Sequence, residues 1–296
     1  MDKRFDCKKV SLIFALILGF SSACGTKEEQ PENGGTILTT ENGVPTIETL
    51  IENDNPCNNI FYPLGLDNQW IYKLQAEGAD GTPETSEMGL TVAEVNDSNA
   101  MLAALNYDSG IVTKSTVNCS NKAILNFPMT ELNLIFGEIA GDINFIYKSG
   151  EFMPSETDFI AGDWKNSWKT EFLANGIVSG TYDNNSATVN LSDSPILMEW
   201  EIFDKDLSLQ VDAGAFKDVV LIKRVISFDI QSLNVTFEGQ DLDISTTLII
   251  NTNMWYAPNI GLLKQEIVSA TVKLFGINFP IDSIGMIELK SSNLVN

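Results

Sequence analysis

An all-β domain is predicted: a large antiparallel sheet or pair of sheets, shaped as an open half-barrel or sandwich, behind a flexible N-terminal tether. Three observations predict it. Apolar and polar residues alternate with period two through most of the chain beyond Cys57, the pattern of half-buried antiparallel strands. About 13 to 16 such runs fit, at a spacing of roughly 8–12 residues, the rhythm of a sandwich or open barrel. Sustained helical periodicity is not evident over the same stretch.

The first element, residues 1–23, is a leader. Lys3, Arg4, Lys8 and Lys9 precede an apolar run from Val10 to Phe20, and Ser21-Ser22-Ala23-Cys24 follows. Such a run reaches only about 16 Å as a helix, against roughly 30 Å of bilayer hydrocarbon, so it is an export signal rather than a span. A cysteine directly after small residues resembles the bacterial lipoprotein lipobox, with Ser21 where Leu is usual. That resemblance implies signal cleavage and acylation of Cys24, by diacylglycerol and a palmitate-like chain. Several acyl chains on one residue anchor a protein to a membrane where one chain cannot. The alternative is an ordinary secretory peptide with an incidental cysteine. Gly25 follows where some lipoproteins carry an inner-membrane Asp, which favours the outer membrane. Lys27-Glu28-Glu29 resembles a Bacteroidota surface-export tag, but chance produces the same run in so acidic a chain. Periplasmic and surface faces both stay open.

Residues 24–55 form the acylated cysteine and tether, dominated by Gly, Pro, Asn, Thr and Glu and without periodicity. Residues 56–296 form the β domain. Cys7 leaves with the leader and Cys24 carries lipid, so Cys57 and Cys119 remain as an even pair in an oxidising compartment, where a disulfide is expected. A metal site lacks both histidine and a CxxC pairing.

Within the domain, Trp70, Tyr72, Leu74 and Ala76 alternate with polar-face neighbours. So do Ala187, Val189 and Leu191, and later Val268, Ala270, Val272 and Leu274. Asn175-Gly176 has the form of a type I′ hairpin between Trp168–Ala174 and Ile177–Tyr182. Asp80-Gly81 and Glu238-Gly239 are expected turns. Phe61-Tyr62-Pro63 leading to Trp70 is echoed by Phe152-Met153-Pro154 leading to Trp164 and Trp168, either an internal duplication or a coincidence.

Three segments together resemble a group of uncharacterised bacterial lipoproteins. FYPLGLDNQWIYK (61–73) resembles their Y-P-L-x-x-G-N-x-W opening strand, with Asp67 where Gly is usual. VDAGAFKDVVLIK (211–223) is similar to their G-x-F-x-D-V strand entry. NMWYAPNIGLLKQE (253–266) is similar to their W-Y-A-x-G-I-G-L-L-K strand pair, with Asn259 for Gly. The resemblance implies an antiparallel β fold, a curved half-barrel similar to periplasmic lipoprotein carriers, and an envelope location. It carries over no catalytic residue.

Charge and composition exclude several functions. Without the leader, 14 Lys plus Arg face 38 Asp plus Glu, a net charge of −24, which repels phosphate backbones and argues against nucleic-acid binding. No histidine is present, which removes the commonest general base and the usual catalytic zinc ligands. GxSxG, Walker A, GxGxxG and HExxH are all missing, so no catalytic, cofactor or metal residue is nominated and a non-enzymatic role is expected. Acidic clusters at Glu52–Asp54, Asp183, Asp193 and Asp241–Asp243 read as solvated surface. Trp70, Trp200 and Trp255 read as core, whereas Trp164 and Trp168 lie in the polar stretch GDWKNSWK and are the candidate surface aromatic pair. Two functions follow as expectations. In the first, two-sided apolar strands such as Val219–Ile222 and Leu248–Ile250 form a groove for a hydrophobic or lipid-like ligand. In the second, the domain is a scaffold that meets an envelope protein partner. A carbohydrate-binding or carbohydrate-active role is a remote third.

Overall fold

A computed structural model describes residues 55–77, 83–126, 141–155, 167–182, 185–237, 240–274, 277–281 and 285–295. The leader, Cys24, the acidic run 52–54, Asp183, Trp164 and the Asp80-Gly81 and Glu238-Gly239 pairs lie outside them. Every described element is a strand. A small pair, β1 (Asn58–Asn59) and β2 (Tyr62–Pro63), opens the domain. Then follow β3 (Gln69–Glu77), β4 (Pro83–Val95), β5 (Asn99–Asn106), β6 (Val112–Ser120) and β7 (Ala123–Ile124). β8 (Gly141–Gly150), β9 (Ser167–Tyr182), β10 (Asn185–Val211), β11 (Gly214–Phe237) and β12 (Gln240–Ala257) come next. β13 (Gly261–Leu274), β14 (Ile277–Ile281) and β15 (Met286–Ser292) end the chain.

From β3 onward the strands form one antiparallel sheet in the order β7-β6-β5-β4-β3-β15-β13-β12-β11-β10-β9-β8, with β14 beside β13. Most neighbours are consecutive, the product of short hairpin connections. The exception is β15, which inserts between β3 and β13 and so ties the end of the chain to the start of the domain. The sheet is open, as the periodicity predicts, but β9 to β12 run 16 to 27 residues, well beyond the expected strand length.

One face is buried from β7 across to β9. Directly opposed residues share a face, and the registers align Tyr72 with Leu289, Trp70 with Leu90, and Val92 with Leu102 in one wing. In the other they align Phe172 with Ile196, Ile196 with Phe228, and Phe228 with Leu248. All of these side chains are buried. The opposite face carries the intervening residues, among them Lys73, Glu199, Lys223 and Lys264, and is exposed or half-buried.

The two margins of the sheet meet at one corner. Ile124 in β7 donates its N–H to the Met153 carbonyl at 2.8 Å, and Phe152 and Met153 return N–H donors to the Ile124 carbonyl at 2.7 and 3.1 Å. The segment 57–64 packs into the same corner. The expected disulfide is present: Cys57 is bonded to Cys119 at the end of β6, with Cα atoms 5.1 Å apart. The Asn59 amide donates to the carbonyls of Lys122 and Pro154, both at 2.7 Å. Tyr62 meets Phe152 edge-on at 5.6 Å. Beyond the main sheet, the β10–β11 hairpin bends so that its tip reaches β15, where Ala213 N–H donates to the Leu289 carbonyl at 3.2 Å.

Two local expectations are corrected. Asn175-Gly176 is not a hairpin turn, since β9 runs unbroken from Ser167 to Tyr182. The pair faces a bulge in β10 instead: Leu191 opposes Gly176 and Ser194 opposes Ala174, leaving Ser192 and Asp193 against Asn175 alone. Asp193 takes the left-handed conformation there, and its N–H donates to the Asn175 side-chain oxygen at 2.8 Å. Turn chemistry thus serves a bulge. Val268, placed on the buried face by its alternation with Ala270, is 59% exposed. It is the extra residue between the pairs Asn251–Ser269 and Thr252–Ile267, and a bulge reverses the parity of all that precedes it.

Candidate functional site

The buried face is mostly apolar, and its largest polar side chains lie along one row. In β11, Val220, Ile222, Arg224, Ile226 and Phe228 share strand parity and all are buried, Arg224 at 2% exposure. Arg224 lies opposite Trp200 of β10 on one side and Thr252 of β12 on the other. Trp200 in turn lies opposite Trp168 of β9. Gln265 of β13 pairs with Met254, one position diagonal from Thr252, and lies between the buried Leu263 and Ile267. Strand alternation therefore brings an indole, a guanidinium, a hydroxyl and an amide together inside an aliphatic surface.

Their contacts fix the geometry of this row. The Arg224 guanidinium lies 5.1 Å from the Trp200 ring centre, within range of a cation–π contact. Trp168 and Trp200 stack with centroids 5.9 Å apart and planes 7° from parallel. Phe152 meets Trp200 edge-on at 5.0 Å, so the 151–155 segment covers this end of the row. The Trp168 N–H is satisfied by the Phe152 carbonyl at 3.2 Å.

Most buried polar groups on this face are bonded to the chain. Thr170 donates to the Glu151 carbonyl at 2.5 Å, and Thr246 to the Lys273 carbonyl at 3.0 Å. Tyr72 donates to the Leu262 carbonyl at 3.2 Å, and burial pushes its phenol pKa well above the ordinary value. Trp200 Nε1, Thr252 Oγ1, Gln265 Oε1 and, further along β10, Ser194 Oγ have no hydrogen-bond partner among the described residues. Leaving such an atom dry costs about 1–3 kcal/mol, so three of them in one row call for an explanation.

The tryptophans divide differently from the sequence expectation. Trp70 and Trp200 are core, and the Trp70 N–H donates to the Ile260 carbonyl at 2.7 Å. Trp255 is half-buried on the outer face, 5.4 Å from the Lys264 ammonium. Trp168, expected at the surface with Trp164, is only 7% exposed: its place opposite Trp200 turns it inward despite its polar sequence neighbours. Asp193 and Asp243 are exposed, and among the described residues no three Cys, Asp or Glu side chains converge on a common point. Arg224, Thr252 and Gln265 were not foreseen. Their signal was present, because each occupies the apolar parity of its strand: Arg224 between Ile222 and Ile226, Thr252 between Ile250 and Met254, Gln265 between Leu263 and Ile267.

No family model matches the sequence, and no curated protein matches it. Two solved structures are similar. One is a Bacteroides fragilis protein described as a "putative exported protein with YmcC-like fold", 14% identical, covering 79% of this chain and 99% of its own at a TM-score of 0.42. The other is a "putative lipoprotein" of Parabacteroides distasonis, 16% identical with the same coverages and a TM-score of 0.35.

Proposed function

We propose that this chain is an exported lipoprotein, acylated at Cys24 and held at the outer membrane by that anchor, whose β domain binds a hydrophobic ligand without catalysing a reaction. The anchor reading rests on the basic head, short apolar run and Ser-Ser-Ala-Cys of the leader. One observation carries the ligand reading: an open sheet turns one largely apolar face inward, from Leu102 in one wing to Phe172 in the other. Ligand sites are lined in this way, by aliphatic and aromatic side chains with a few placed polar groups. The acidic surface favours the second reading, a scaffold that meets a protein partner and holds no small molecule.

Native mass spectrometry of the full chain, released gently from an envelope fraction, separates the two. A ligand-binding domain shows an adduct of lipid mass that is lost on denaturation, while the covalent acyl mass on Cys24 remains. A native mass equal to the acylated chain alone refutes the ligand reading and favours the scaffold. In the same preparation Cys24→Ser is expected to leave the membrane fraction; retention there refutes the anchor.

A further inference from the structure

We infer that residues 202–219, the tip of the β10–β11 hairpin, are a hinged arm, the part of this otherwise packed domain that opens. That the opening admits an apolar guest rests on the ligand reading above. Among the described residues the arm has no flanking strand. β9 leaves β10 at the pair Glu201–Ser167 and β12 leaves β11 at Val220–Tyr256, so beyond these points the two strands pair with each other alone. A two-stranded ribbon lacks the lateral pairing that holds the rest of the sheet and is marginal by itself. The ladder is also least regular here. Three register shifts follow one another in β10, between Ile202 and Asp204, Asp204 and Leu207, and Leu207 and Leu209. Asp206 and Asp218, both at φ +56°, take the left-handed conformation beside them. Bulges bend a strand and interrupt its ladder, and a hinge needs such a short stretch to absorb the change of backbone angle.

The two sides of the arm differ. Leu207, Leu209 and Val211 alternate along β10, with Val219 opposite Leu207 and Phe216 opposite Leu209, so one side is apolar. Val211, at the tip, is only 4% exposed, and Leu207, Leu209 and Phe216 are half-buried against the same core. With no strand beside the tip, the body of the domain is what covers Val211. Ser208, Gln210, Asp212 and Lys217 lie between these positions and are exposed. Two bonds latch the tip to β15. The Ala213 N–H donates to the Leu289 carbonyl at 3.2 Å, and the Asp212 N–H to the Glu288 carboxylate at 3.3 Å, both long for hydrogen bonds. Lifting the arm therefore breaks no ladder between β9 and β10 or between β11 and β12. It bares an apolar surface on the arm and another where the arm rested. An apolar guest can meet that surface while the packed interior of the sheet stays as it is.

Amide hydrogen exchange on the full chain tests the hinge. The Ala213 amide, whose bond crosses to β15, is expected to exchange at least tenfold faster than the amides of 222–228, which lie between two paired strands. Val211→Ser removes the apolar contact of the tip. It is expected to speed exchange across 204–218 by about tenfold or more and to leave 222–228 and β9 unchanged. If Ala213 exchanges no faster than 222–228, or if Val211→Ser speeds both regions by the same factor, the tip opens only with the whole domain and the hinge is overturned. A second measurement tests the guest, using the uncharged probe N-phenyl-1-naphthylamine and the full chain carrying Cys24→Ser, which has no acyl group to compete. Probe fluorescence is expected to rise on binding, and to rise faster when Val211→Ser is added. Equal rates in the two proteins overturn the arm as the way in. No binding by either protein overturns the hydrophobic-ligand reading, while the hinge stands or falls on the exchange alone.

Discussion

Tyr72 shows how a single group on the buried face couples stability to pH. Burial, and secondarily the nearby Tyr62, holds its pKa well above 10.0. The folded state therefore keeps a proton that the unfolded chain releases as the pH passes 10.0. This contribution to stability is complete below that pH and declines as the pH climbs towards the raised folded value. The decline is at most about 1.4 kcal/mol per pH unit, the worth of one proton. Tyr72→Phe removes the titration and also the bond to the Leu262 carbonyl, so the variant should be less stable by about 1 kcal/mol at pH 8. By pH 11 the gap should close or reverse. Urea unfolding of both proteins at the two pH values measures this, and parallel curves would show that the phenol does not titrate as its burial requires. Arg224 is also buried on this face, and its signal in the sequence is one of parity: an arginine between Ile222 and Ile226 marks a polar group turned inward. What parity could not supply was the neighbour, because which tryptophan stands beside Arg224 depends on the register of β10 and β11.

At the scale of elements, alternation located the strands while local turn signals misled. Asn175-Gly176 favours a hairpin in isolation, but pairing with β8 on one side and β10 on the other extends the strand through it, and the glycine's freedom is taken up opposite a bulge. Pairing to two neighbours outweighs the preference of two residues. Bulges likewise displaced Val268, since sequence alone does not mark where an extra residue enters. Gly150, the last residue of β8, makes a testable case. Its φ is +92°, and a Cβ there would lie 2.0 Å from the Lys169 carbonyl oxygen. Gly150→Ala should cost more than the strain of about 1–3 kcal/mol that such a backbone carries, because the β8–β9 register must also shift. Gly214→Ala, at φ +142° as the first residue of β11 with open space around its Cβ, carries the backbone strain alone. Thermal unfolding should therefore rank Gly150→Ala well below Gly214→Ala. Equal losses would mean that the Lys169 carbonyl yields without cost.

At the scale of the molecule, an open antiparallel sheet behind a tether was legible, because period-two alternation with one apolar face has few other solutions. Its order was not: nothing local tells β15 to pair with β3, or Ile124 to reach Met153. Those long-range pairings join the wing β3–β7 to the wing β8–β13, and Phe152 lies at the joint. Its ring meets Trp200 of one wing at 5.0 Å and Tyr62 of the disulfide-linked segment at 5.6 Å, while its backbone bonds to Ile124. If the wings fold as one unit, a cavity here weakens both. Phe152→Ala should cost about 3–5 kcal/mol overall. Amide hydrogen exchange should then speed up in β5 and β6 as well as in β9 and β10, although no side chain in β5 or β6 has been altered. A loss of protection confined to β9 and β10 would show instead that the wings open independently. The joint would then be a local clasp, and the pairing of β15 with β3 and β13 would be what holds the sheet together.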